Sequence, residues 1–217
     1  MAKLVWDQTG ERYYETGVKK GVLYVMDEDG SYGTGEAWNG LTSVSENPTG
    51  AEANALYADD IKYLNLISTE EFGCTIGCYT YPDGFKKCNG ELDYAPGLTL
   101  TAQTRSKFGF SYVTTEGNDV KGTDYGYKIH LVYGCTASPS DKEYSSINDS
   151  PEAIELSYEV TTEAPEFDGF KPTAHVVIDS TKANADQLKA VETTLYGDTS
   201  TEAKLPTPTE LLAMFKA

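Results

Sequence analysis

The chain has 217 residues, enough for one domain with a sizeable core, and ordinary hydrophobic (39%) and charged (24%) fractions for a globular protein. Seventeen Lys plus Arg stand against 34 Asp plus Glu, a net charge of -17. Such a surface repels phosphates and anionic membranes, which argues against sequence-specific DNA binding but not against a wall past which DNA slides.

Sixteen tyrosines, against seven Phe and two Trp, favour pleated, half-wet surfaces and make β-structure the first expectation. The start, "MAKLVWDQTGERYYETG", lacks a signal-peptide apolar core, and no stretch approaches the roughly 18 apolar residues of a membrane span. Folding in a reducing cytoplasm is therefore expected, and with it free thiols rather than structural disulfides. Asn148-Asp149-Ser150 matches a glycosylation sequon that has meaning only for a secreted chain.

Residues 1–20 read as a polar arm carrying Trp6, Tyr13 and Tyr14 without a clear period. "GVLYVM" (21–26) reads as a short apolar strand, followed over 27–52 by a long Gly-, Ser- and acid-rich loop of the kind that usually serves function or meets a partner. Residues 54–68 read as strand, Ala-Asp-Asp turn and strand, with a helix as the main competing reading. In 70–81 the alternation puts Phe72, Cys74, Ile76 and Cys78 on one face. "PDGFKKCNG" reads as one or two helical turns, and 97–105, 107–115, 125–137, 154–163 and 172–180 as strands. Two helices are predicted. One covers 184–196, with Asn184 as N-cap and Gly197 past its end; the other is a short terminal helix with Thr209 as cap. The fold expected is mainly β (α+β), a β-sandwich or flattened barrel with a flanking helix. Its body spans 21–197, with a linker and short helix over 198–217.

Three of four cysteines fall within "FGCTIGCYTYPDGFKKC" (72–88). On a strand Cys74 and Cys78 lie about 13 Å apart. A disulfide needs Cα atoms within about 7 Å, and two zinc ligands must converge similarly, so these thiols read as packing residues. Asp27, Asp29, Gly30 and Glu36 fit positions of a calcium loop, but Val25 occupies its first ligand position and no amphipathic helix flanks it, so a plain turn is the simpler reading. Gly33-Thr34-Gly35 lacks the Lys and continuation of a phosphate loop. His130 and His175 sit in apparent strands with no nucleophile elbow. No catalytic residue, cofactor site or metal ligand is assigned, and the reading is of a non-enzyme.

"WDQTGERYYETGVKKGVLYV", "AWNGLTSVSENPTGAE", "LYADDIKYLNLISTEEFGCTIGCYTYPDGF", "YGYKIHLVYGCTASPSDKEYSSINDSPEAIELSYEV" and "KPTAHVVIDSTK" together resemble the major tail proteins of long-tailed, non-contractile bacteriophages, from about residue 6 to 197 and more loosely through "LPTPTELLAMF". The resemblance implies a tail tube subunit of the virion, assembled in the host cytoplasm: a β-sandwich with a flanking helix, forming six-subunit rings that stack into a hollow tube for DNA ejection. The partners implied are copies of itself, the tape measure, tail terminator and distal tail proteins, and genomic DNA passing non-specifically. Ring closure would satisfy open strand edges, and an acidic lumen would keep DNA from adhering. Trp6, Tyr13, Tyr14, Trp38, Leu41, Leu211, Leu212 and Phe215 are the expected interface anchors, because large aromatics and aliphatics dominate interface cores. A carbohydrate- or receptor-binding β-sandwich module of a virion is the alternative, and a metal-dependent hydrolase a more distant one.

Overall fold

In the computed structural model, which describes residues 3–147, 149–150 and 152–216, a long antiparallel ladder joins β9 (Phe108–Asn118) to β10 (Gly122–Ala137). Asn148 of the sequon lies outside the described residues. Asn118 closes the β9–β10 turn by accepting the backbone N–H groups of Val120 and Lys121 at 3.2 and 2.7 Å. On the other edge of β9 runs β1 (Tyr13–Val25), a single strand made of the second half of the expected arm and most of the expected short strand. Its alternation was not readable because the register shifts twice, between Thr16 and Lys19 and between Lys19 and Val22, where Gly17 and Lys20 take positive φ.

The main sheet has eight strands, every pairing antiparallel, in the order β2 (Glu36–Trp38), β1, β9, β10, β11 (Leu156–Thr162), β6 (Gly73–Cys78), β3 (Leu41–Glu46). β12 (His175–Asp179) pairs with β10 off this path. The supposed loop of 27–52 thus contains two strands, and they sit at opposite ends of the order. Only Asn39 and Gly40 separate them, a reach of about 10 Å, so the sheet has to curl until its two ends meet. Gly40, at φ 75°, supplies the corner, where the shortness of β2 and β3 had hidden strands among turn-forming residues.

Curling gives the sheet an inner and an outer face, and side chains alternate between them. Leu23, Phe108, Phe110, Tyr112 and Val132 point inward to meet Cys74, Ile76, Cys78, Tyr158 and Val160 from the opposite strands, with α1 (Phe85–Cys88) plugging the core through Phe85. Val22, Tyr24, Val113, Ile129, Leu131 and Tyr133 point outward and are covered by α2 (Ala185–Tyr196), α3 (Pro208–Phe215) and Leu205 between them. Two buried tyrosine hydroxyls fasten this cover: Tyr24 donates to the Leu195 carbonyl at 2.8 Å and Tyr133 to that of Pro206 at 3.0 Å. Asn184 caps α2 as expected, in a reciprocal box with Gln187. For α3 the cap is Thr207 rather than Thr209. Pro208 takes the first helical position and Glu210 completes the box, leaving Thr209 inside the first turn.

β10 changes partner midway. Lys128–Val132 pair with β12, Cys135–Ala137 with β11, and Gly134 lies between at φ 61°. Here β10 carries one residue more than β9, since Val132 faces Phe110 and Cys135 faces Phe108. The extra residue shifts the alternation by one, so that Cys135 and Ala137 face inward like Val132.

Thr207→Ala should lower stability by about 1 kcal/mol, whereas Thr209→Ala should change it by less than about 0.5 kcal/mol in urea unfolding. Gly134→Ala should cost about 2 kcal/mol or more, because an L side chain resists this φ and its Cβ would collide with the Glu163 carbonyl; a midpoint like the wild type's would contradict the bulge's role.

Candidate self-association surface

Two hairpins stand apart from the main sheet. Among the described residues β4 (Ala53–Ala58) and β5 (Ile61–Ile67) pair only with each other, turning through Asp59 and Asp60 at positive φ, and β7 (Leu92–Ala95) and β8 (Leu98–Leu100) likewise pair only with each other. The first matches the strand–turn–strand expected from the sequence. In the second, β8 is only three residues of the strand expected over 97–105, and β7 lies outside every expected strand. Hairpins facing water are expected to be polar. These are not. Tyr57, Ile61, Tyr63, Leu66 and Ile67 on one, and Tyr94, Leu92 and Leu98 on the other, are exposed, Tyr57 at 72% and Tyr94 at 74%. The β4–β5 arm is about 20 Å long and has apolar groups on both faces, which an isolated hairpin cannot bury by itself.

The expected anchors divide by location. Trp6, Tyr13 and Tyr14 are exposed, Trp6 before β1 and the tyrosines on its outer half, where Tyr13 lies against Tyr125 with ring centroids 5.2 Å apart. Leu212 and Phe215 are half-buried and line an open apolar cleft of roughly 370 Å³ between α3 and β12, with Phe167, Val176 and Ile178. Leu41 is half-buried against the inner core. Trp38 and Leu211, by contrast, are buried within the subunit: the Trp38 indole N–H donates to the Thr80 carbonyl at 3.0 Å and its ring lies 4.6 Å from that of Phe85. These two serve intramolecular packing. The exposed apolar residues of the first hairpin carry no signal of exposure in the sequence, because alternation in 54–68 reads equally well for a strand packed on its own core.

The other chemical candidates also find their places. All four cysteines are free and buried in the inner core. Burial pushes the thiols of Cys74 and Cys88 up to about 12 and those of Cys78 and Cys135 upward as well, which keeps them protonated and unreactive. The acidic segment at 27–31 is a turn: Asp29 accepts from the backbone and hydroxyl of Ser31 at 3.0 and 2.7 Å, while Glu36 points away to the Gly84 N–H at 3.0 Å. His130 and His175 do meet, on neighbouring strands β10 and β12, where His175 is diagonal to His130 across the ladder. Their Nδ1 and Nε2 atoms are 3.1 Å apart, and desolvation lowers both pKa values, that of His130 to about 4. Among the described residues no helix is long and apolar enough to cross a membrane.

No protein-family model and no curated protein sequence matches the chain.

Thiol accessibility gives a direct check on the core. The native protein should react with a bulky disulfide reagent at none of its four cysteines, and the urea-unfolded chain at all four; rapid labelling of Cys74 or Cys78 in the native state would contradict the inner-face assignment.

Proposed function

We propose that the chain is a structural virion protein, a tail tube subunit. It associates with copies of itself into six-membered rings that stack into the tube of a long-tailed phage, with a β-sandwich or flattened-barrel body of the tail-tube type. The observation that carries the reading is the pair of hairpins outside the main sheet, whose large apolar side chains are exposed among the described residues. Burying one such side chain is worth about 1.5–3 kcal/mol. Covering Tyr57, Ile61, Tyr63, Leu66 and Ile67 of the first hairpin alone amounts to something on the order of 10 kcal/mol before the costs of association. A surface of that kind marks a partner site.

The segments that resemble major tail proteins support the same reading. In a ring, the free edges of the hairpins pair with neighbouring subunits, and the arm with Trp6, the tyrosines of β1 and the cleft at Leu212 and Phe215 provide further contacts. Tape measure, terminator and distal tail proteins are the proposed end partners. The excess of carboxylates suits a lumen that lets DNA pass without retaining it. No catalytic role is part of this proposal.

Sedimentation velocity and negative-stain microscopy over a concentration series test it. Rings or tubes are expected at high concentration. The double variant Tyr63→Glu/Ile67→Glu should stay monomeric, with its unfolding free energy in urea changed by less than about 0.5 kcal/mol per substitution, as for surface positions. A wild-type protein that remains monomeric at every concentration, alone and with tail assembly partners, overturns the proposal. So does a monomer that binds glycan through the hairpin tyrosines, which would favour the receptor-binding alternative.

A further inference from the structure

At the rim of the inner face, three strands distant in sequence deliver one ligating side chain each: Glu46 from the end of β3, His130 from β10 and His175 from the start of β12. His130 Nδ1 lies 3.1 Å from His175 Nε2, and Glu46 Oε1 lies 3.6 Å from the first and 3.9 Å from the second. A triangle with these edges has a single central point about 2.1 Å from every corner. That matches the bond lengths of zinc to imidazole nitrogen and carboxylate oxygen, about 2.0–2.2 Å.

We propose that Glu46, His130 and His175 form a binding site for a late first-row divalent cation, Zn²⁺ being the best match, with water in the fourth position. Two imidazoles and one carboxylate suit zinc rather than calcium or magnesium, which take mostly oxygen. The surroundings are those of supported ligands. The other nitrogen of His130, Nε2, is 3.0 Å from the Thr114 hydroxyl, and the Tyr112 hydroxyl donates to Glu46 Oε1 at 2.8 Å. Tyr112 lies flat against His130 with centroids 4.4 Å apart, and Phe72 against His175 at 4.3 Å. Glu46, 41% exposed, leaves a path for the ion to enter.

In the metal-free protein the two rings are nearly coplanar and share one hydrogen along the N···N line. Zn²⁺ takes the place of that hydrogen. His175 then carries its proton on Nδ1, both imidazoles stay neutral, and each ring turns to aim its lone pair at the ion. The bound ion would tie β3, at one end of the sheet, to β10 and β12 in its middle. The site lies wholly within one subunit and is independent of how subunits assemble.

The test uses the full, tag-free chain, stripped with chelator and titrated calorimetrically with ZnCl₂, with Co²⁺ absorption as a second readout. One equivalent of Zn²⁺ should bind and raise the melting temperature. Glu46→Gln and His175→Gln should each weaken binding by about 100-fold or more, and Tyr112→Phe by about 10-fold. Asp29→Asn, in the acidic turn, should leave it unchanged. Glu46→Gln is at the solvent-exposed rim and keeps the fold testable, with circular dichroism as the check. Absence of zinc binding by the wild type, or binding that survives both Glu46→Gln and His175→Gln, overturns the proposal.

Discussion

The extra residue at Gly134 is the constraint on which the architecture depends. A regular strand of sixteen residues would keep one set of side chains on one face throughout. Then Cys135 and Ala137 would point outward beside Tyr133's neighbours, and the inner core would lose one wall. The bulge resets the alternation and, at the same place, passes the strand's edge from β12 to β11. The Gly134 N–H, freed from the ladder, is taken by the Tyr32 hydroxyl at 2.9 Å, and its carbonyl accepts the Glu163 N–H at 3.0 Å. The local departure from regular pairing therefore leaves no backbone group of Gly134 unsatisfied.

Two partners on one strand edge mean that the sheet divides in direction. β12 continues toward the helices and the outer cluster, while β11, β6 and β3 turn back to face β1 and β9. The two-residue corner at Asn39-Gly40 makes the same closure from the other side, since β2 and β3 cannot both be paired unless the ends of the sheet are close. Bulge and corner act together. One bends the middle of the sheet, and the other holds its ends.

What the sequence made legible follows from how local each signal is. The strands of 107–115, 125–137 and 154–163 were readable because their alternation is carried by large buried side chains. The cap at Asn184 was readable because the box with Gln187 lies within four residues. The full length of β1 was hidden by its two bulges, and β2 and β3 were hidden because three and six residues amid glycines and serines look like a loop. The cap of α3 was misplaced by two residues, although Pro208 at the first helical position points to Thr207. Trp38 shows the wider limit: an aromatic beside Asn39-Gly40 fits an exposed loop anchor equally well, and only the meeting of β2 with α1 makes it core. The two histidines, 45 residues apart, belong to no motif, and their encounter depends on the β10–β12 register.

The same closure explains why polar groups collect at one rim of an otherwise apolar interior. Where β3 ends, its last side chain, Glu46, reaches the strands it faces but does not pair with. An apolar residue there would bury little, because the rim is open to water. A carboxylate that receives the Tyr112 hydroxyl instead links two strands that share no backbone ladder. Opposite it, His130 is buried yet hydrogen-bonded at both ring nitrogens, to Thr114 and His175, so burial leaves it neutral without leaving it unsatisfied. A neutral imidazole pair beside a half-exposed carboxylate is stable without any ion. Among the described residues it is also where three ligating side chains converge, which is why the proposed ion site lies at the rim rather than in the cysteine-rich stretch of β6 and α1.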